Sequence, residues 1–235
     1  MDTPSTRSLT GRMPVCTLLM VGGTLLVAAF PGWANGLRYD RQAILAGQVW
    51  RLFTGHGVHF SPSHLLFDTL VLGLAGWMIE VRRVAGFGWL CLLAPWVINL
   101  ALLICAPDLR YGGGLSGLAT CALVFLALDG LADPSAWRWA CWLTLLGVGG
   151  KILWEMQTGH LLLATIDPGT AVVCTASHLA GAVTGLISYS LSTSVRSSAR
   201  SGSLCAATRQ SWVLGRAKAC CNHFRAAGRL PSRHS

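Results

Sequence analysis

Charge is scarce in this chain. Only 11% of its 235 residues are Asp, Glu, Lys or Arg, and just 9 are acidic, whereas a soluble domain carries about 25% charged residues. With 53% of residues hydrophobic, that deficit excludes an ordinary water-soluble domain and implies a polytopic membrane protein. C-x-x-C spacing is missing although 9 cysteines are present, which removes the usual redox and zinc signatures. Cys16, Cys91, Cys105, Cys121, Cys141 and Cys174 fall in apolar runs, so they read as small apolar filler. No metal and no cofactor is expected. Charged residues inside several spans and a repeat between the two halves are also lacking, which counts against a small transporter.

What is present is a series of apolar segments. Met13–Phe30 is the first, behind Arg7 and Arg12; its basic start and its Ala28, Ala29 and Ala34 also fit a cleaved signal peptide. Further spans are expected over His64–Ile79, Phe87–Ala106, Ser116–Leu128, Trp137–Met156 and Ala171–Leu191, most of them near the roughly 20 residues that a crossing requires. The fold class that follows is an all-α membrane protein with a six-helix bundle. Residues 1–12 form a short leading segment, 13–191 the membrane domain and 192–235 a basic tail, expected to be disordered. That tail holds eight basic residues, from Arg196 to Arg233, out of 18 in the chain. Placing it in the cytoplasm with Arg7, Arg12, Arg82 and Arg83 obeys the positive-inside rule, so both termini are expected inside, in a bacterial inner membrane. Nucleic acid is a poor partner for charge that topology already explains. Lipid is the better one.

Within this frame one polar stretch stands out. In Tyr111-Gly-Gly-Gly-Leu-Ser-Gly-Leu-Ala-Thr120, glycines lead to Ser116 and an apolar helix follows. Ser116 is therefore expected at a helix N-terminus at membrane depth, where free N–H groups and the helix dipole favour a forming oxyanion. A Gly/Ser helix entry that merely lets two helices approach is the plainer reading. Ser116 needs a base, and His178 supplies one. It precedes Gly181 and Gly185, which share a helical face and match Gly117 and Cys121 on the span that begins at Ser116. Close packing of the two faces leans His178 toward Ser116, where an imidazole can take the hydroxyl proton and return it to the leaving amine. The expected topology also brings His59 to Asp68 to the same depth.

These residues resemble the rhomboid family of intramembrane serine proteases. The likeness rests on Gly-Leu-Ser-Gly at 114–117, His-x-x-Gly-x-x-x-Gly at 178–185, His59-Phe-Ser-x-x-His64-Leu-Leu-Phe, and Trp50-Arg51, in the family's order over about residues 45–190. It implies a six-helix core and a Ser–His dyad without an acidic third member. Ser116 is then the nucleophile, His178 the base and His64 an oxyanion donor. Gly114 and Leu115 belong to the same auxiliary set, His59 to a structural role and Trp50-Arg51 to the first loop. The segment from Gly150 to Gly159, with Lys151, Trp154 and Glu155, looks more like the rhombosortase subgroup. That likeness implies substrates with a C-terminal Gly-Gly, apolar helix and basic cluster.

One position departs from the pattern. The family's second-span Asn is Asp68 here, and a carboxylate beside a developing oxyanion repels it. A neutral or orienting role is expected. Lys151 and Glu155 are spaced for an i,i+4 salt bridge, in the weaker order, and read as a charge-neutralising pair ahead of a substrate role. Glu80 with Arg82 and Arg83 reads as a structural anchor. Arg51 is placed to clamp the first loop or to reach lipid phosphate, with Trp50 at the interface; an exposed pair is the plainer reading. The expected partners are transmembrane substrates and the bilayer; the oligomeric state is not legible. The rival reading is a catalytically impaired relative that binds and escorts membrane helices.

Overall fold

The computed structural model describes residues 13–82, 84–159 and 175–195. The long helices are α1 Val15–Ala29, α5 Pro62–Val81, α6 Phe87–Cys105, α7 Ser116–Gly130 and α8 Trp137–Thr158, followed by α9 over 175–195. Between α1 and α5 lies the first loop, with the short helices α2 Ala34–Leu37, α3 Arg41–Leu45 and α4 Arg51–Thr54. The expected spans match these helices to within a few residues. The start expected at Ala171, the leading segment and the tail beyond 195 lie outside the described residues.

Each helix end has a local cause. Ser61 caps α5 by accepting from His64 N, with Pro62 at the first helical position, where its missing N–H costs nothing. Gly86, with φ of 95°, makes the left-handed turn into α6 that other residues rarely adopt. Gly159 ends α8 in the same way at φ 67°.

Two helices, Pro62–Val81 and Phe87–Cys105, are each long and apolar enough to cross a membrane, and Val15–Ala29 with Pro31–Leu37 makes a third candidate bent by 98°. The shorter α7 has 15 residues and spans roughly 22 Å at 1.5 Å per residue, less than a hydrocarbon core of about 30 Å. It is also the most enclosed helix, with Leu118, Cys121, Ala122 and Phe125 at the centre of the main apolar core. Leu66, Leu70 and Leu74 on α5, Leu92 and Leu93 on α6, and Leu143 and Leu146 on α8 face outward. An apolar exterior of this kind suits lipid. Half-exposed tryptophans lie toward both ends of the bundle, Trp77, Trp89 and Trp139 at one and Trp33, Trp50 and Trp154 at the other, as in an interfacial belt.

Glu80 anchors α5 to the start of α1. Its carboxylate accepts from Cys16 N at 3.0 Å, Thr17 N at 2.9 Å and Thr17 Oγ1 at 2.6 Å, so it caps the free N–H groups that begin α1. Arg82 turns instead to Asp133, 3.3 Å away, and to the face of Trp137. The first apolar segment is thereby tied to α5 as a helix of the bundle.

The first loop is an ordered structure. Tyr39–Asp40 (β1) pairs antiparallel with Tyr111–Gly112 (β2), fastening the loop to the strand that leads into Ser116. Asn99 Nδ2 donates to Leu52 O at 2.8 Å and ties the loop to α6. Arg51, 7% exposed, donates to Asn35 O, Arg38 O and the Gln48 side chain at 2.9, 2.9 and 2.7 Å. Arg51 is therefore buried and turned into the loop, where its contacts are those of a clamp. Trp50 is half-exposed, and its indole N–H donates to Gly36 O at 3.4 Å.

The chain divides into one compact unit over Met1–Ser190 and a second over Leu191–Ser235.

Candidate active site

Ser116 opens α7, directly after Leu115. The loop before it is shaped by Gly114, whose φ is 114° and whose missing Cβ makes room for the His64 ring, since a methyl there would lie 2.5 Å from Cε1 and 2.6 Å from Nε2. His56 holds the same loop from behind, its Nδ1 3.2 Å from Gly114 O and its Nε2 3.1 Å from Pro95 O. Nothing in the sequence marked His56. Its neighbours are carbonyls from distant segments, and only the fold brings them together.

The expected small-residue contact is present. A Cβ on Gly181 would fall on the Gly117 carbonyl oxygen, and one on Gly185 would lie 2.6 Å from Cys121 O. Backbone therefore meets backbone between α7 and α9, and His178 is carried to the Ser116 end of the bundle. Both residues line one open cleft, with His64, Asp68, Thr120, Lys151 and Glu155 as its other polar groups and Phe67, Val71, Leu123 and Ile152 among its apolar walls. Among the described residues no hydrogen bond joins Ser116 to His178. Unliganded sites often keep such pairs apart until substrate closes them.

His178 is engaged elsewhere. Its Nδ1 lies 2.6 Å from Glu155 Oε2, with the two side chains 3% and 1% exposed. Lys151 Nζ lies 2.6 Å from Glu155 Oε1, 2.9 Å from His178 Nδ1 and 3.3 Å from Nε2. The i,i+4 pair read from the sequence thus forms. Its third member, His178, is what the spacing could not reveal. Trp154, in the same segment, does not line the cleft and stays half-exposed.

Asp68 Oδ2 sits between two imidazoles, 3.0 Å from His59 Nε2 and 3.2 Å from His64 Nε2. Leu115 N lies 3.3 Å from the same His59 nitrogen. Asp68 thus faces both rings through one oxygen. His59, His64 and Asp68 are also the group whose ligand atoms, all within 4.8 Å of one another, have the composition of a metal site; the shared Oδ2 accounts for their approach without an ion. In Asp68→Asn one carbonyl oxygen remains between the rings while the charge is removed. Turnover is expected to stay within about tenfold of wild type or to rise, and a deeper loss, more than about 1.4 kcal/mol of barrier, would show in a cleavage assay that the charge is needed.

Fold and site together define a helical integral membrane protein with a buried Ser/His/carboxylate cleft at one end of its bundle. Residues 46–194 match the Rhomboid domain, and the chain belongs to the rhomboid family. A search of curated proteins finds no match. The family consists in general of intramembrane serine proteases and related proteins, and the matched region contains every residue of the cleft.

Proposed function

We propose that this protein is an intramembrane serine endopeptidase in which Ser116 attacks the substrate carbonyl and His178 serves as base, then as acid. The observation that carries this reading is the shared cleft. A hydroxyl at a helix N-terminus and an imidazole from a distant helix line the same hollow, in an environment where polar groups are expensive. His64, packed over Gly114, and the N–H groups that open α7 lie on the side where an oxyanion would form.

The bundle crosses the bacterial inner membrane six times, with both termini in the cytoplasm and the cleft toward the outer face. A transmembrane substrate hides its carbonyls in helical hydrogen bonds and must unwind before attack. A Gly costs about 1 kcal/mol relative to Ala in a helix, so a Gly-Gly pair lowers that penalty by roughly 2 kcal/mol and leaves room for the serine. Substrates with Gly-Gly, an apolar helix and a basic cluster fit this requirement, and the placement of Lys151 and Glu155 in the cleft supports the rhombosortase assignment. The test is labelling by a fluorophosphonate in membranes. Wild type is expected to label and Ser116→Ala and His178→Ala not to; a chain that only escorts membrane helices gives no Ser116-dependent label.

A further inference from the structure

We propose that Glu155 is a positioning residue that completes a Ser116–His178–Glu155 triad, with Lys151 holding the carboxylate in place. This rests on the protease reading above and departs from the two-residue arrangement which the family resemblance implies. The argument begins with donor and acceptor inventory. Glu155 Oε2 lies 2.6 Å from His178 Nδ1, a charge-assisted distance, and a carboxylate only accepts. Nδ1 therefore carries the proton, and Nε2 is left with its lone pair. That is the tautomer a base needs if it is to take a proton from a serine.

Lys151 sharpens the point. Its ammonium lies 2.9 Å from Nδ1 and 3.3 Å from Nε2 and has donors only; because the 2.6 Å carboxylate contact is the shorter claim on Nδ1, Nδ1 keeps its proton and Nε2 is the ring atom with a lone pair. The stronger Lys151 bond is the 2.6 Å contact to Glu155 Oε1. Each carboxylate oxygen thus has its own partner, Oε1 the ammonium and Oε2 the imidazole. For Ser116 to hand its proton to Nε2, the hydroxyl takes the place Lys151 occupies beside that nitrogen while Lys151 keeps Oε1. The proton moves from Ser116 Oγ to Nε2 as Oγ bonds to the carbonyl carbon. Glu155 stays ionised and balances the imidazolium, and the Nε2 proton then leaves with the amine.

This geometry makes Glu155→Gln informative. A glutamine has one side-chain oxygen, which Lys151 requires as acceptor, so its NH2 is turned to Nδ1. The imidazole must then accept at Nδ1 and carry its proton on Nε2, where it cannot act as base. The rate constant for fluorophosphonate inactivation is expected to fall at least a hundredfold with the probe's half-saturation concentration unchanged, a split that general loosening of the cleft would not give. In Lys151→Met/Glu155→Gln the amide is free to turn its oxygen toward Nδ1, and at least tenfold of the loss is expected to return. Nitrogen-15 spectra of the imidazoles supply a readout that needs no active variant, with the proton of His178 on Nδ1 in wild type.

A wild-type spectrum with the proton on Nε2, a Glu155→Gln rate within threefold of wild type, or a double variant no faster than Glu155→Gln would each overturn the triad. If Ser116→Ala still labels, the protease reading itself falls. If Ser116→Ala is silent and Glu155→Gln labels normally, the triad alone falls.

Discussion

Adding one methyl group at Gly181 is expected to lower turnover by about a hundredfold. The Cβ of Gly181→Ala would land on the Gly117 carbonyl oxygen, and neither backbone has a flexible end that can give way. Helix α9 must move off α7 or turn about its axis. Overpacking of this sort costs typically 1–3 kcal/mol, and the larger effect is on geometry. His178 stands one turn before Gly181 on the same helix, and a displacement near 1 Å at a reacting pair can cost about 10²-fold. The measurement is the cleavage rate of a membrane-anchored reporter at fixed enzyme in proteoliposomes, with thermal unfolding recorded beside it. Gly147→Ala serves as the comparison. It lies inside α8, and among the described residues no atom outside its own helix backbone lies within 4 Å of an added Cβ, so the same chemical change there is expected to leave the rate unaltered and to favour the helix by up to about 1 kcal/mol. Equal behaviour of the two variants would remove close helix contact as the device that positions His178.

Truncating Arg51 is expected to have the largest effect on stability. Its guanidinium satisfies two backbone carbonyls and a side-chain amide from three points of the first loop. Hydrogen bonds to a charged group are each worth about 1.5–3 kcal/mol, and buried acceptors left without donors add their own cost. Because these terms overlap, Arg51→Ala is expected to destabilise by about 3 kcal/mol in total. For a chain of this size that lowers Tm by roughly 6–12 °C. Arg51→Lys should fall between wild type and Arg51→Ala, because an ammonium on a flexible stem lacks the planar fork that reaches all three acceptors. The loop is joined through β1 and β2 to the strand before Ser116, so activity at moderate temperature is expected to fall with Tm. An Arg51→Ala protein that melts within 2 °C of wild type would mean that the remaining contacts of the loop suffice.

Much of this architecture was legible in the linear chain because the bilayer imposes simple requirements. Apolar length marks α5 and α6, and Gly114, Gly117, Gly181 and Gly185 mark places where backbone needs room, since a glycine is detectable wherever it stands. The i,i+4 spacing of Lys151 and Glu155 is local and forms as the helical period dictates. Partners separated by tens of residues were another matter. Glu80 stands next to arginines in the sequence, whereas its acceptor oxygens serve the start of α1, 63 and 64 residues away. The clamp made by Arg51 and the bridging position of His56 likewise depend on carbonyls, which every residue has and which no pattern of side chains distinguishes.

The chain itself decided that this protein is a bundle of apolar helices with a serine at one helix entrance and a histidine beside a close-packing glycine face, because hydrophobic length and missing side chains act through local geometry. The i,i+4 spacing inside α5 brings His64 to Asp68, but tertiary structure alone decided which oxygens His56 and His178 meet. Hydrogen bonding requires atoms within about 3 Å, and such proximity between Glu155 and His178, 23 residues apart, comes into being only when separate helices pack.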